Sequence, residues 1–209
     1  MKIGKEAPKK GIVQTDSWKN RAPWIAMAAC VIVMAIILNS QGRIWWCKWD
    51  SPLYLWSSDV WSKHNSQHLF DPYMFTHILH GVIFYWAGRL IFQRRISFAW
   101  LLFTAVFAEG IWELIENSPF VIERYRTATA SLEYFGDSIL NSIGDVISCI
   151  TGFLIAYRLR FWKSLAFFVI VEIALIIAIH DSLLINIIML IYPIDAIKAW
   201  QTAGATIVN

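Results

Sequence analysis

Acidic residues inside apolar segments are the feature that most constrains this chain. Three glutamates lie toward the end of one apolar stretch, and their spacing of four and three places them on one face of a helix: Glu109, Glu113 and Glu116. A second stripe, spaced by four, opens the next apolar stretch: Asp137, Asn141 and Asp145. An aspartate at the centre of a membrane helix costs about 2.5–3.5 kcal/mol. We therefore expect the two stripes to face a protein interior and each other.

The composition indicates a membrane protein. Of 209 residues, 57% are hydrophobic and only 16% are charged, whereas soluble domains carry about 25% charged residues. Twelve tryptophans fit a preference for the bilayer interface. The net charge of +3 is small, and no basic run has interleaved aromatic residues, so nucleic acid is not an expected partner. Membrane lipids are.

Hydrophobic periodicity predicts an all-α protein with six transmembrane helices, at 23–38, 74–92, 98–116, 138–157, 165–179 and 183–197. Lysine and arginine concentrate in 1–21, 89–95 and 158–163, which places these segments in the cytoplasm. Both termini are then cytoplasmic. The alternative is that Pro193 breaks the last segment, which would enter the membrane and return to the same side.

The expected organisation is one helical transmembrane domain, 22–202, between a basic cytoplasmic tail, 1–21, and a C-terminal tail, 203–209. A polar connector, 117–136, and a tryptophan-rich loop, 39–73, lie on the periplasmic side. The loop is interpreted as an interfacial segment on the membrane surface, or alternatively as a lid over a lipid or sugar site. The three cysteines, Cys30, Cys47 and Cys149, contain no CxxC pair, so neither a disulfide framework nor a thiolate zinc motif is predicted.

Two histidines open the second predicted span. His77 and His80 are three apart, so they share one side of a helix near its outer end. Such a pair can hold a metal ion together with Glu113, or it can shuttle protons. The alternative is two interior histidines that hydrogen-bond to neighbouring acids. His68, in the preceding loop, is a third candidate for contact with substrate.

The polar residues of spans two to four are predicted to meet in a cavity open to the periplasm. So many adjacent carboxylates cannot all be ionised without balancing cations. A divalent metal, protonated imidazoles, or Arg124 and Arg126 from the connector are the candidates. The cavity could then support metal-assisted catalysis, metal-free acid–base chemistry or proton-linked transport. The alternative without function is a polar network that only fixes helix packing.

Several longer strings resemble a family of uncharacterised bacterial multi-pass membrane proteins. They occur in the family's order across residues 40–202: NSQH, THILHG, WELIENSP, IERYRTAT, GDSILNS and PIDAIKAWQ. This resemblance implies an inner-membrane location and no assigned activity. The pattern of Asp137, Asn141 and Gly144 after an acidic helix is also loosely similar to the VanZ-like membrane proteins, which are linked to the cell envelope and antibiotic resistance.

The leading hypothesis is a membrane-embedded hydrolase or transferase that acts on a lipid or envelope precursor at the periplasmic face, with or without a divalent metal. The three glutamates, Asp137, Asn141 and Asp145 would form the catalytic group, and His77 and His80 would bind the metal. Arg124, Arg126 and His68 would bind the substrate, the arginines through an anionic head group. The alternatives are a small proton- or ion-coupled transporter and a non-catalytic membrane assembly factor.

Overall fold

The computed structural model describes residues 17–49, 51–52, 54–129 and 134–208, and these are helical or irregular apart from a single bridge between Trp56 and Phe70. The helices are α1 Ser17–Ser40, α2 Met74–Phe92, α3 Phe98–Glu116, α4 Pro119–Ala128, α5 Ile139–Arg158, α6 Phe161–Ile179, α7 Leu183–Ile191 and α8 Asp195–Val208. The predicted all-α class is confirmed. Most of the predicted basic tail, residues 1–16, lies outside the described residues.

Serine residues begin four of these helices. The side chains of Ser97, Ser118, Ser138 and Ser182 each accept a hydrogen bond from a backbone N–H of the first turn of α3, α4, α5 and α7. Such a bond satisfies one of the N–H groups that a helix start leaves unpaired. Pro119 follows its cap at the first position of α4, where a missing N–H is tolerated. The connector predicted at 117–136 therefore contains a helix that hydrophobic periodicity did not indicate.

Within the described residues, four helices are long and apolar enough to cross a membrane: α1 over Asn20–Ser40, and α3, α5 and α6 over their full lengths. The six predicted spans are not confirmed. The predicted sixth span, 183–197, is broken into α7 and α8, with Pro193 in the break. With nine residues, α7 is about 14 Å long, and a hydrocarbon core is about 30 Å thick.

The last two helices stay at one end of the bundle, where α3 ends and α5 begins. Arg124 of α4 donates from Nε to the carbonyl of Leu190, at 2.9 Å. Lys198 of α8 donates to the carbonyl of Thr127 in α4. The Trp200 ring lies 4.9 Å from that of His180, just after α6. These contacts hold α7 and α8 against α4 and the end of α6.

Glycine allows the two central helices to approach closely. A Cβ added at Gly81 of α2 would collide with the Cys149 carbonyl of α5, and one added at Gly152 would collide with the Ile78 carbonyl. Small residues at helix crossings are typical of membrane bundles. The distribution of side chains is also typical of a membrane protein, because apolar Leu90 is 80% exposed while acidic Glu109 is fully buried. The bundle thus exposes large apolar side chains and buries acidic residues beside an apolar core.

The segment between α1 and α2 folds back over the start of α5. The backbone N–H of Ile139 donates to the carbonyl of Ile44 at 2.8 Å, and that of Ser138 donates to the carbonyl of Ser66 at 2.9 Å. Gln67 donates from Nε2 to the Gly136 carbonyl at 2.9 Å. The loop therefore covers the end of the bundle that carries the acidic residues.

Candidate metal and catalytic site

Helices α2, α3 and α5 bring the predicted residues together. We call this cluster the polar seam; its members are His77, His80, Glu109, Glu113, Glu116, Asp137, Asn141 and Asp145. All are buried except Glu116, which is half-buried. The structure brings the two acidic stripes and the paired histidines close together, as the sequence predicted. The chemical roles assigned to these residues stay predictions.

Glu109 joins the two histidines. Its Oε1 lies 2.5 Å from Nδ1 of His77, and its Oε2 lies 3.1 Å from Nδ1 of His80. Nε2 of His77 points the other way and lies 3.8 Å from Oδ1 of Asp145. A carboxylate that holds one ring nitrogen fixes the tautomer and leaves the other nitrogen free to bind a metal. Glu109 is thus placed to orient His77.

Neither carboxylate oxygen of Glu113 has a hydrogen-bond partner in the part of the chain that the structure describes, although the side chain is fully buried. Its Oε1 lies 3.5 Å from Nδ1 of His77. The residue belongs to two sets of potential metal ligands, one with His77 and Glu116 and the other with Asp137 and Asp145. Within each set, one ligand atom per residue lies within 4.8 Å of the others. Glu113 is the member that the two sets share.

Asp137 is held by hydrogen bonds that the sequence did not suggest. Asn117 donates from Nδ2 to Oδ2 of Asp137 at 2.9 Å and accepts from the Asp137 backbone N–H at 2.7 Å. The Tyr134 hydroxyl donates to the other carboxylate oxygen at 2.9 Å. Burial raises the pKa of Asp137, and these donors oppose the rise. Its orientation is therefore fixed by the connector.

A second tyrosine reaches the end of the glutamate stripe. The Tyr125 hydroxyl of α4 donates to Oε1 of Glu116 at 2.8 Å, while Oε2 of Glu116 has no partner. Burial raises the pKa of Tyr125 well above its usual value, and the adjacent Glu116 adds to the rise. Tyr125 thus remains a neutral hydrogen-bond donor over the physiological pH range.

A small cavity of about 50 Å³ opens beside the seam. Its polar wall includes His77, Glu116, Asp137 and Asp145, and its roof is formed by residues of α7: Leu183, Asn186, Ile187 and Leu190. Asn65 and Ser66 of the tryptophan-rich loop complete the wall. This volume accommodates a few water molecules or a small ion. A larger substrate requires the roof to move.

Asp181 anchors the roof at its start. Its carboxylate accepts from the Tyr73 hydroxyl at 3.1 Å and from the Ser182 backbone N–H at 2.9 Å. Burial raises the pKa of Asp181 to about 7. Glu172 of α6 accepts from the first backbone N–H groups of α7, with 3.0 Å to that of Leu183. Glu172 thus caps α7, where it complements the helix dipole.

The predicted substrate-binding residues lie outside the cavity wall. Arg124 bonds to the last carbonyls of α7, and Arg126 donates to the Tyr134 carbonyl at 2.6 Å. His68 is 1% exposed and belongs to a separate cluster in the loop. Burial lowers the pKa of His68, with a smaller contribution from His64. Binding of substrate by these three residues stays a prediction.

Sequence reasoning missed three hydrogen-bond partners of the seam, Asn117, Tyr125 and Tyr134, and the cavity-lining pair Tyr73 and Asp181, all of which come from connecting segments. Asn117 directly follows the glutamate stripe, four residues after Glu113, so its position on the same face was readable. The tyrosines carry no such signal, because their approach depends on how α4 and the loop fold back. An aromatic residue in a connector is more simply explained by an interfacial position.

The described part of the chain has the architecture of a polytopic helical membrane protein. It combines four long apolar helices and an apolar surface with a buried polar seam. Within this class, the chain belongs to the family described as "Protein of unknown function (DUF2585)", whose sequence profile matches residues 38–203. The resemblance to an uncharacterised bacterial family is confirmed. The looser likeness to VanZ-like proteins stays a prediction.

The relatives extend over nearly the whole chain. A UPF0314 protein of Sinorhizobium fredii is 43% identical over 191 residues, covering 90% of this chain and 95% of the relative. UPF0314 proteins of Sphingopyxis alaskensis and Paracoccus denitrificans are 41% and 39% identical; each alignment covers 88% of this chain, and 97% and 95% of the respective relatives. No solved structure matches this chain.

Proposed function

We propose that this protein is a metal-dependent hydrolase or transferase embedded in the bacterial inner membrane, acting on a lipid or cell-envelope precursor at the periplasmic face. The observation that carries the proposal is the buried Glu113 carboxylate, which accepts no hydrogen bond from the described residues on either oxygen and is shared by two sets of potential metal ligands. A buried polar group left unsatisfied costs about 1–3 kcal/mol, and more when it is charged. A bound cation removes that cost.

The donor set suits a divalent ion that accepts both oxygen and nitrogen. Glu113 offers carboxylate oxygens, with Asp137 and Asp145 in one set and His77 in the other. Mixed carboxylate and imidazole ligands fit Zn²⁺, Mn²⁺ or Fe²⁺ better than the all-oxygen environment that Ca²⁺ prefers. When bound, such an ion supplies a Lewis acid that activates water or polarises a phosphoryl or acyl group.

The remaining residues would orient ligands and move protons. Glu109 would hold His77 in one tautomer through Nδ1. Glu116 faces the cavity with Oε2 unpartnered, so this oxygen can accept a proton from a water molecule. Tyr125 and Tyr134 would keep their carboxylate partners in place. Asn141 lines the same cavity, and its Nδ2 has no partner, so it remains available as a donor.

The periplasmic orientation is supported by the arginines at the opposite end. Arg94 and Arg95 lie between α2 and α3, while Arg158 ends α5 and Arg160 lies between α5 and α6. Positive residues favour the cytoplasmic side, so the cavity end faces the periplasm. We propose five crossings, by α1, α2, α3, α5 and α6, with α7 and α8 on the periplasmic side. A lipid or envelope precursor is the substrate class that would reach a cavity at this depth.

Metal analysis of purified protein tests the proposal, with Glu113→Gln and His77→Ala as the test variants. Glu123→Gln is the matched control, because Glu123 lies on α4 with its side chain 66% exposed. We expect wild type and the control to retain a stoichiometric divalent ion, and both seam variants to lose it. In a strain lacking the gene, only wild type and the control should restore the lipid and precursor profile.

The proposal is wrong if Glu113→Gln retains full activity. It is also wrong if the wild-type protein binds no divalent ion after dialysis against a buffer that contains that ion. Abundance of each variant in the membrane is measured in parallel. Lower activity with normal abundance is the result expected of a catalytic or metal-binding group. A variant absent from the membrane indicates a packing role and counts against the enzyme.

The transporter alternative has less support from the arrangement. Proton-linked transport needs access from both sides, and Glu172 of α6 and Asp195 of α8 are the acidic residues that would have to line a path to the cytoplasmic end. Glu172 caps α7, and Asp195 begins α8 at the cavity end. Cysteines can be introduced beside these residues and treated with a labelling reagent from the cytoplasmic side. Reaction of these cysteines would support the transporter hypothesis.

A further inference from the structure

The tryptophan-rich loop contains a second cluster of potential metal ligands, apart from the polar seam. Cys47 and His64 are in contact, with Sγ 3.4 Å from Nδ1, and the His68 ring is stacked on the His64 ring with centroids 5.5 Å apart. One ligand atom from each of the three residues lies within 4.8 Å of the other two. None of these residues contributes to the seam.

Burial and an unpartnered nitrogen indicate that this cluster is built for a ligand. Cys47 is 6% exposed and His68 is 1% exposed. Nδ1 of His68 is buried and has no hydrogen-bond partner among the described residues, while Nε2 lies 3.5 Å from Oγ of Ser51. A buried nitrogen without a partner costs free energy unless something binds it.

Aromatic rings enclose the same histidine. Trp46 and Tyr54 meet the His68 ring edge-on, with centroids 5.4 Å and 5.0 Å away. Such an apolar shell limits access of water to a bound ion and fixes the orientation of the imidazole. Two of the loop's large aromatic residues, Trp46 and Tyr54, thus pack against a potential metal ligand.

We propose that Cys47, His64 and His68 bind a thiophilic d¹⁰ metal ion, Zn²⁺ or Cu⁺. Bonds of about 2.0–2.3 Å to a tetrahedral ion place its ligand atoms about 3.3–3.8 Å apart, and the contact between Cys47 and His64 already has this length. A ligand atom of His68 lies within 4.8 Å of the other two, so it would have to approach them by about 1 Å. Thiolate and imidazole select Zn²⁺ or Cu⁺ over Mg²⁺, Ca²⁺ and Mn²⁺.

The ion would fix one wall of the cavity. Asn65 and Ser66, which line the cavity, lie between the two histidine ligands in the chain. Ser66 also accepts the Ser138 backbone N–H at the start of α5. Cys47 is distant in sequence, so a metal bond between Cys47 and the histidines closes a long loop and orders it over the site.

Cobalt substitution tests this site in the full-length protein, purified in detergent under reducing conditions. We expect Co²⁺ to give a thiolate-to-cobalt charge-transfer band, which disappears on addition of Zn²⁺. Cys47→Ser and His64→Asn should lose the band. The matched controls Cys30→Ser and His180→Ala should keep it, because Cys30 lies in α1 and His180 follows α6. Anaerobic titration with Cu⁺ against a coloured chelator then identifies which ion binds more tightly.

The result is separable from the metal proposed for the seam. Glu113→Gln should keep the thiolate band, since the seam contributes no thiolate ligand to the sets that contain Glu113. Size-exclusion profiles verify that each variant is folded, and His64→Asn serves as the test if Cys47→Ser does not fold. The proposal is overturned by a wild-type protein without the band, or by a band that persists in folded Cys47→Ser or His64→Asn.

Discussion

Replacing Asp181 with asparagine measures how much stability the cavity end gains from one buried proton. Asp181 is 5% exposed and accepts hydrogen bonds from Tyr73 and Ser182. Burial raises its pKa from 3.8 to about 7, and the charge of Glu172 adds to the rise. The folded protein therefore holds this proton to a higher pH than the unfolded chain does.

That difference in proton affinity makes stability fall as the pH rises. The contribution of Asp181 is fully present below pH 3.8, its usual pKa, and is lost as the pH rises through about 7. One pKa unit corresponds to about 1.36 kcal/mol, so a rise of about three units gives about 4 kcal/mol. Asparagine does not titrate. Asp181→Asn has one hydrogen-bond acceptor fewer, which lowers its free energy of unfolding by about 1 kcal/mol at every pH. Its free energy of unfolding does not contain the decrease with pH that Asp181 causes in the wild type.

The assay is the free energy of unfolding in mixed detergent micelles, followed by tryptophan fluorescence. We expect the free energy of wild type minus that of Asp181→Asn to decrease by about 4 kcal/mol between about pH 4 and pH 8. Asp71, whose pKa burial raises to about 6, contributes with the same sign in both proteins and cancels. Asp59→Asn is the control, because Asp59 is exposed. A difference that stays constant within about 1 kcal/mol, or that increases with pH, refutes the reasoning.

Two further substitutions test packing and the roof. Gly81→Ala should destabilise the protein by about 1–3 kcal/mol, because its methyl group would collide with a carbonyl of α5; Gly110→Ala, whose methyl group would lie 3.4 Å from the nearest atom, should be tolerated. Arg124→Ala removes two hydrogen bonds to the end of α7 and should raise hydrogen exchange there about tenfold, while exposed Arg94→Ala should not. Equal effects within either pair would contradict the structure.

Short-range periodicity explains how much of the site could be predicted. Residues three and four apart share a helix face whatever the tertiary structure, so Glu109 and Glu113 had to lie together once α3 formed. Their meeting with His77 followed from topology, because adjacent spans usually pack side by side. Both predictions have the same physical basis: ionisable groups in membrane helices face the protein interior, where they pair with one another.

The parts that could not be predicted depend on how the connecting segments fold back. The end of α7 was readable from Pro193, but its position as a roof depends on contacts with α4, such as that of Arg124. The loop cluster is harder still. Cys47 and His64 lie far apart in a segment without helical periodicity, and their contact depends on the loop docking at the start of α5. The prediction of no thiolate zinc motif rested on CxxC spacing alone.

Comparison of the carboxylates within the seam is the strongest reason to prefer a bound cation over a packing role. Glu109 has two imidazole partners, and Asp137 has an amide and a hydroxyl donor. Glu113 is equally buried, but no hydrogen bond from the described residues reaches either of its oxygens, and Nδ1 of His77 lies 3.5 Å from one of them. If the seam only joined helices, an apolar residue of similar volume would serve as well or better at this position. A Glu113→Gln variant that folds but binds no metal is therefore the outcome that distinguishes a metal-binding role of Glu113 from a packing role.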